Sequence, residues 1–177
     1  MIILFNKPYG VISQFSEHET YPSLKDFIPF KNVYPAGRLD SDSEGLLILT
    51  DNGILQNKIS NPKNNLYKTY WAQVENNPDD HALDSLRTGL KIKDYFTKPA
   101  LVERIIEPKV WERDPPIRKR KNIPTEWIQI KISEGKNRQV RKMTATISHP
   151  TLRLIRVGIG DYKIDSLLPG DFLVVES

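Results

Sequence analysis

The chain has 177 residues, a formal net charge of +4 and no cysteine. The lack of cysteine excludes disulfides, zinc–thiolate sites, iron–sulfur clusters and thiol nucleophiles. No apolar run approaches the roughly 20 residues that a membrane-spanning helix needs, and the apolar run at 1–5 is too short for a signal peptide. We therefore expect a cytoplasmic protein with no membrane partner.

The pattern of apolar residues predicts more strands than helices. Alternating or continuous apolar runs of strand length occur at 1–5, 46–50, 67–74, 101–106, 127–132, 152–159 and 172–176. Helical spacing occurs at 53–60 after a cap at Asp51, at 80–90 after a cap at Asp79 or Asp80, and at 137–147. Because strands and helices do not alternate regularly, we expect an α+β fold: a mixed, largely antiparallel sheet flanked by a few helices.

Basic residues concentrate in two segments of the chain. One is a proline-rich stretch at about 107–125, which we interpret as a long basic loop or hairpin, and the other lies at 136–142. Basic runs are commonly solvated surface. Two of them on so short a chain, with Trp111 and Trp127 nearby, also fit a nucleic-acid partner. Composition alone leaves both interpretations open.

Three carboxylates fall within five residues, at Asp40, Asp42 and Glu44, in a glycine-bounded loop before the predicted strand at 46–50. Acidic residues in loops commonly brace turns or are solvated. A pair of carboxylates can also hydrolyse glycosidic bonds. A divalent-metal site is the weaker interpretation, because the ligand spacing of an EF-hand is missing.

A second polar segment, at 133–143, coincides with the predicted third helix. Asn137 and Arg141 would lie one turn apart on one face, with Arg138 beside them. The segment could be a solvated helical face. Alternatively, one arginine could pair with a carboxylate through both of its nitrogens while its neighbours bind phosphates.

Short motifs along nearly the whole chain match one family of enzymes. They are Lys7-Pro8-Tyr9-Gly10, Gly37-Arg38-Leu39-Asp40, the segment 43–50, Asp51-Asn52-Gly53, Tyr67-Lys68-Thr69-Tyr70, the segment 135–143 and the segment 154–160. With these motifs the chain resembles the RsuA-type RNA pseudouridine synthases, most closely their RluE-like members, which act on large-subunit ribosomal RNA. Lys-Pro-x-Gly is weak by itself. Gly-Arg-Leu-Asp followed at the right distance by Gly-x-Asn-Arg-Gln-Val-Arg is specific.

The resemblance implies an isomerase that turns a uridine into pseudouridine without a cofactor or a metal. It implies that the pseudouridine synthase catalytic domain covers 1–177, with two subdomains around a central cleft and the smaller one at about 1–62. It makes Asp40 the nucleophile and Arg141 the arginine that keeps Asp40 ionised. Tyr70 matches the tyrosine that stacks on the target base. From periodicity alone Tyr70 would be a core residue.

The resemblance also implies that the partner is RNA, which must deliver a flipped uridine to Asp40. We expect RNA contacts from three groups of residues: Arg38 and Lys68; Lys136, Asn137, Arg138 and Gln139; and Arg118, Lys119, Arg120 and Lys121. Glu44 is interpreted as bracing the turn and Asp42 as solvated. His18, His81 and His149 are isolated and are not assigned to catalysis.

Many members of the family carry a small N-terminal RNA-binding domain, whereas the catalytic motifs here begin at the first residue. We therefore expect the catalytic domain to select the RNA itself, with the basic segment at 107–125 contributing. We also expect the protein to be a monomer. Two other functions compete with this one. A non-catalytic RNA-binding module would not need Asp40, and a glycosidase for small sugars would not need the basic segment.

Overall fold

The computed structural model describes residues 1–176. Its strands are β1 (Ile2–Lys7), β2 (Tyr34–Pro35), β3 (Glu44–Thr50), β4 (Lys68–Glu75), β5 (Lys91–Ile92), β6 (Tyr95–Phe96), β7 (Leu101–Ile105), β8 (Thr125–Ile132), β9 (Thr151–Ile159), β10 (Tyr162–Lys163) and β11 (Phe172–Val175). Its α-helices are α1 (Gly53–Ser60), α2 (Asp80–Thr88) and α3 (Gln139–Thr146). Single 3₁₀ turns occur at Leu24–Asp26 and Pro62–Asn64. The chain divides into two compact units, one formed by 1–66 with 155–177 and the other by 67–154.

The sheet of the first unit is mixed. Strand β1 pairs antiparallel with β11 on one side and with β3 on the other, and Lys7 lies opposite Gly45. The one parallel pairing described there joins β3 to β9, with Gly45 opposite Arg156. The short strand β2 pairs antiparallel with the end of β3, and β10 pairs antiparallel with the end of β9. All residues of β1 and β3 are buried, which fits the continuous apolar run from Leu46 to Leu49 in β3.

The second unit has an antiparallel sheet in the order β4, β8, β7 and a separate hairpin formed by β5 and β6. Ile128, Ile130 and Ile132 alternate along β8 and are all buried in the core of this unit. Helices α2 and α3 contribute Leu83, Leu86, Val140 and Met143 to the same core. A mixed and mostly antiparallel sheet with three helices confirms the predicted α+β fold.

The helix ends explain two details of the predicted boundaries. The carboxylate of Asp79 accepts a hydrogen bond from the backbone N–H of Ala82, so Asp79 caps α2 as predicted. The cap predicted at Asp51 was wrong. The side chain of Asn52 accepts the backbone N–H groups of Ile54 and Leu55 and caps α1, while Asp51 pairs with the N-terminal ammonium group. No helix within residues 1–176 is long and apolar enough to cross a membrane.

Candidate active site and RNA-binding surface

The loop around Asp40 is held through its backbone on both sides of that residue. Leu39 is buried in the core of the first unit, whereas Arg38 is exposed and Asp40 is half-buried. The hydroxyl of Ser13 donates to the carbonyl oxygen of Leu39 at 2.6 Å and accepts the backbone N–H of Leu39 at 3.1 Å. The Asp40 carbonyl accepts the N–H of Ser43, which closes a turn after the carboxylate. These hydrogen bonds therefore fix the backbone on either side of Asp40.

The buried side chain of Lys7 also holds this loop. Its ammonium group donates to the carbonyl oxygens of Pro8 at 2.9 Å, Val11 at 2.7 Å and Ser41 at 3.5 Å, and its side chain is fully buried. The backbone N–H of Gly10 donates to the same Ser41 carbonyl. The Lys-Pro-Tyr-Gly motif thus has a structural explanation: its lysine and glycine hold the residue after Asp40.

Arg156 holds the other side of the loop. Its Nε donates to the carbonyl oxygen of Leu46 at 2.8 Å, and its Nη1 donates to that of Arg38 at 3.2 Å. The contact needs a close approach of β3 to β9, which Gly45 permits: a Cβ atom there would collide with the backbone oxygen of Arg156, and the residue has a φ of +109°. Residues on both sides of Asp40 are therefore fixed by the buried basic side chains of Lys7 and Arg156.

A buried carboxylate, that of Glu44, acts electrostatically on Lys7. Glu44 begins β3 and is 1% exposed, so it is a core residue of the sheet and more than a brace for the turn. Burial lowers the pKa of Lys7 to about 7, an effect that the charge of Glu44 opposes most strongly. Arg156 lowers this pKa further, whereas Asp42 and Asp40 raise it. Neither Lys7 nor Arg156 is among the predicted site residues.

The pKa of Lys7 predicts how the stability of the protein depends on pH. The unfolded chain keeps the lysine proton up to about pH 10.5, whereas the folded chain releases it near pH 7. The unfolded state therefore binds more protons in this range, and folding stability should rise with pH. Urea unfolding between pH 7 and pH 10 should show this rise for the wild type relative to Lys7→Met. Lys58→Met, at an exposed site on α1, should follow the wild type. Parallel curves for the wild type and Lys7→Met would contradict the account.

In the second unit, Tyr70 and Lys68 lie on β4. Tyr70 is 9% exposed, pairs with Ile130 across the sheet and belongs to the core of the unit. Lys68 is half-buried, and its ammonium group donates to the carbonyl oxygen of Glu134 at 3.4 Å. The strand thus brings Lys68 to the polar segment that precedes α3.

The buried carboxylate of Glu134 organises that segment. Its Oε1 accepts the backbone N–H of Lys98 at 2.7 Å and the side-chain amide of Gln139 at 3.1 Å. The oxygen of the Gln139 amide accepts the backbone N–H of Lys136. Gln139 is 3% exposed, so the amide that we expected to contact RNA is used inside the protein.

The residues around this framework face outward to different degrees. Lys136, Asn137 and Arg138 are exposed, and Arg138 has a left-handed φ of +52° immediately before α3. Arg141 is half-buried on the first turn of the helix. The second unit therefore gathers Lys68, Lys136, Asn137, Arg138 and Arg141 in or beside one segment, whereas Asp40 and Arg38 belong to the first unit.

The basic segment at 107–125 connects the antiparallel strands β7 and β8 and is anchored by arginines. Arg113 donates to the carbonyl oxygens of Pro115, Pro116 and Leu152. The guanidinium group of Arg153 donates to the carbonyl oxygen of Trp111 and lies 5.9 Å from the centre of its ring. The predicted RNA contacts Arg118, Lys119, Arg120 and Lys121 are exposed, and Arg120 pairs with Glu75 at 3.2 Å.

A family model described as RNA pseudouridylate synthase matches residues 1–146. The chain belongs to the RNA pseudouridylate synthase family. This confirms the resemblance found in the motifs and makes the protein an isomerase that acts on uridine in RNA.

Among residues 1–176, no group of three or more histidine, aspartate or glutamate side chains is placed to hold a metal ion.

Several pseudouridine synthases are similar over nearly the whole chain. The ribosomal large subunit pseudouridine synthase E of Vibrio parahaemolyticus is 52% identical over 99% of this chain and 74% of its own length. The protein of the same name from Xanthomonas campestris is 50% identical over 98% of this chain and 95% of its own length. The ribosomal large subunit pseudouridine synthase B of Bacillus subtilis is 37% identical over 95% of this chain and 65% of its own length.

Solved structures of pseudouridine synthases share the fold. A crystal structure of a pseudouridylate synthase superposes with a TM-score of 0.81 at 27% identity, over 99% of this chain and 70% of the other. The human RNA pseudouridylate synthase domain-containing protein 1 superposes with a TM-score of 0.58 at 14% identity, over 89% of this chain and 74% of the other. The second likeness concerns the fold alone.

Proposed function

We propose that this pseudouridine synthase isomerises one uridine of large-subunit ribosomal RNA. The observation that carries the proposal is the match to the Xanthomonas protein, a large-subunit enzyme by name, which is half identical and is covered almost completely. The motifs from Lys7 to Gly160 lie within the matched region. The proposed enzyme works in the cytoplasm, as a monomer, on RNA that it selects through its own basic surfaces.

The proposed reaction is an isomerisation in which atoms and charge balance. The N1–C1′ bond of the uridine breaks and a C5–C1′ bond forms. The proton on C5 is lost and N1 gains one, so the mass of the RNA does not change. A carboxylate suits this reaction because it can form a covalent bond to the nucleotide and leave again. We assign this role to Asp40.

The support for Asp40 comes from its setting. Ser13, Lys7 and Arg156 hydrogen-bond to backbone atoms of Leu39, Ser41 and Arg38, which fixes the backbone on either side of Asp40. Such pre-organisation is what a nucleophile requires, because displacement by about 1 Å can cost a hundredfold in rate. Asp40 is only half-exposed, so a base-stacked uridine would have to flip out to reach it.

Tyr70 and Arg141 complete the proposed catalytic set. Their roles rest on the family motifs Lys68-x-Tyr70 and Asn-Arg-Gln-Val-Arg. In the proposal, Arg141 pairs with Asp40 and keeps it ionised, and Tyr70 contacts the target base. Burial of Tyr70 in the core of its unit would fix its ring in one orientation.

The experiment that tests the proposal compares RNA substrates. Purified protein is incubated with large-subunit rRNA, small-subunit rRNA or tRNA, each prepared without modifications. Carbodiimide labelling and primer extension then locate pseudouridine. We expect one new stop, in large-subunit rRNA alone. A stop only in another RNA would refute the choice of substrate, and no stop in any RNA or in a partly assembled subunit would refute the function.

The basic segment at 107–125 should supply phosphate contacts through its exposed and unanchored side chains. Replacing Arg118, Lys119 and Lys121 together with glutamine should weaken RNA binding. If each contacts one phosphate of single-stranded RNA, the slope of log K against log salt should fall by about two. Binding titrations between 50 and 300 mM salt measure the slope.

The matched control is Arg120→Gln. Arg120 is also exposed, but Glu75 already neutralises it. Its replacement should therefore change the salt slope less than any one of its neighbours. An unchanged slope in the triple variant would show that the segment is only solvated surface.

A further inference from the structure

The β5–β6 hairpin displays an aromatic ring to solvent. Phe96 is 72% exposed, although it lies on a strand. Its cross-strand partner is Lys91, whereas the other pair of the hairpin joins Ile92 to Tyr95. Ile92 is buried and Tyr95 packs against the core of the unit. Since neighbouring side chains of a strand point to opposite faces, this pairing turns Lys91 and Phe96 outward.

The base of the hairpin is fixed. The backbone N–H of Thr97 donates to the carbonyl oxygen of Leu90 at 2.9 Å, and the hydroxyl of Thr97 accepts the N–H of Leu90 at 3.0 Å. The next residue, Lys98, donates its N–H to the carboxylate of Glu134. The position of Phe96 is therefore set by the contacts of the two residues that follow it.

The same carboxylate joins the hairpin to the polar segment before α3. Glu134 accepts Lys98 from the hairpin and Gln139 from the helix. A second contact supports this connection: the ammonium group of Lys136 lies 4.6 Å from the centre of the Tyr95 ring. The hairpin and the segment that carries Asn137 and Arg138 thus form one continuous surface within the second unit.

This surface is strongly cationic. Lysines 91, 93, 98 and 136 are all exposed, and Asp94 is the only acidic residue between 91 and 98. An exposed ring among cations is the arrangement with which proteins bind single-stranded nucleic acid, because bases stack on the ring while the cations contact phosphates. An acidic protein partner would use the lysines but would have no need of a flat stacking surface.

We propose that the β5–β6 hairpin is a second RNA-binding surface, on which an unpaired base of the RNA stacks on Phe96 and the surrounding lysines contact its phosphates. This rests on the proposed function, because it takes RNA as the substrate. It extends that function by assigning to the hairpin a preference for unpaired RNA away from the target uridine, which Tyr70 is proposed to contact.

The test compares binding to two probes, a single-stranded 12-nucleotide oligoadenylate and a 12-base-pair RNA duplex. Stacking on an aromatic ring is worth about tenfold in affinity per base. Phe96→Ala should therefore bind the single strand about tenfold more weakly, with little change for the duplex. Phe96→Trp should restore binding. Ile54→Ala removes another highly exposed apolar side chain, on α1, and should bind both probes as the wild type does.

The charge of the surface is tested separately. Replacing Lys91, Lys93 and Lys98 with glutamine should weaken binding to both probes and reduce the salt dependence. Unchanged single-strand affinity in Phe96→Ala would overturn the inference, as would a wild type that binds neither probe. An equal loss for both probes in Phe96→Ala would also overturn it, because stacking requires an unpaired base.

The pseudouridine assay on large-subunit rRNA distinguishes a failure of the hairpin proposal from a failure of the proposed function. A wild type that forms pseudouridine, together with a Phe96→Ala variant that binds and reacts normally, would refute the hairpin alone. A wild type that forms none, together with a single-strand defect in Phe96→Ala, would refute the enzyme's proposed substrate and leave the hairpin as an RNA-binding surface.

Discussion

Asp40→Ala should abolish pseudouridine formation while leaving the fold and RNA binding nearly intact. Loss of a covalent nucleophile costs on the order of a thousandfold or more in the chemical step. The fold should survive because the loop is anchored through the backbone of Leu39 and Ser41, which the substitution does not touch. Asp40→Asn, which keeps the shape of the side chain, should be equally inactive.

Asp42→Asn is the matched control for Asp40. Asp42 is also half-buried and lies two residues further along the same loop. Its replacement should leave most of the activity, since no chemical role is assigned to it. Single-turnover rates and thermal unfolding of all three variants measure the two effects separately. Turnover by purified Asp40→Ala near the wild-type rate would show that another group is the nucleophile.

Arg141→Lys should slow the chemical step by about tenfold to a hundredfold with little change in RNA affinity. Lysine keeps the charge but loses the two-nitrogen geometry with which arginine binds a carboxylate. A hydrogen bond to a charged group contributes about 1.5–3 kcal/mol, which corresponds to that loss of rate. Arg141 is half-buried on the first turn of α3, so its side chain can adopt fewer conformations than an exposed one.

Arg138→Lys is the comparison for Arg141. Arg138 is exposed, and we expect it to bind phosphate. Its replacement should therefore affect affinity and salt dependence more than the chemical step. Single-turnover kinetics at saturating enzyme give the chemical step, and titrations give the affinity. If Arg141→Lys lost only affinity, the partner of Asp40 would have to be a different residue.

The longer strands and helices could be predicted because their apolar residues follow a regular spacing within a few neighbouring positions. Residues 46–49 are continuously apolar and lie in the buried strand β3, and the alternating residues 127–132 lie in β8, which is buried on one face. The strands β2, β5, β6 and β10 have two residues each, too few to form a pattern. The true cap of α1 is one residue from the predicted one, because aspartate and asparagine both accept the backbone N–H groups of a first turn.

The contacts that support the Asp40 loop could not be predicted from local patterns. Lys7 and Arg156 are far apart in sequence, and both bind backbone carbonyl oxygens, which every residue possesses. A sequence carries no signal for such contacts. Gln139 shows the opposite problem: it belongs to a motif of exposed basic residues, yet its amide is buried against Glu134. The motif identified the segment, and only the geometry distinguished its outward-facing residues from its internal one.

Tritium release from RNA labelled at C5 of uridine tests the central claim most directly. Formation of the C5–C1′ bond must expel the hydrogen on C5, so the wild type should release tritium to water while the RNA chain stays intact and no uracil is freed. Asp40→Ala should release none. A glycosidase would instead liberate labelled uracil, and a non-catalytic RNA-binding protein would release neither. Free uracil as the product, or no release from any large-subunit RNA substrate, would contradict the account.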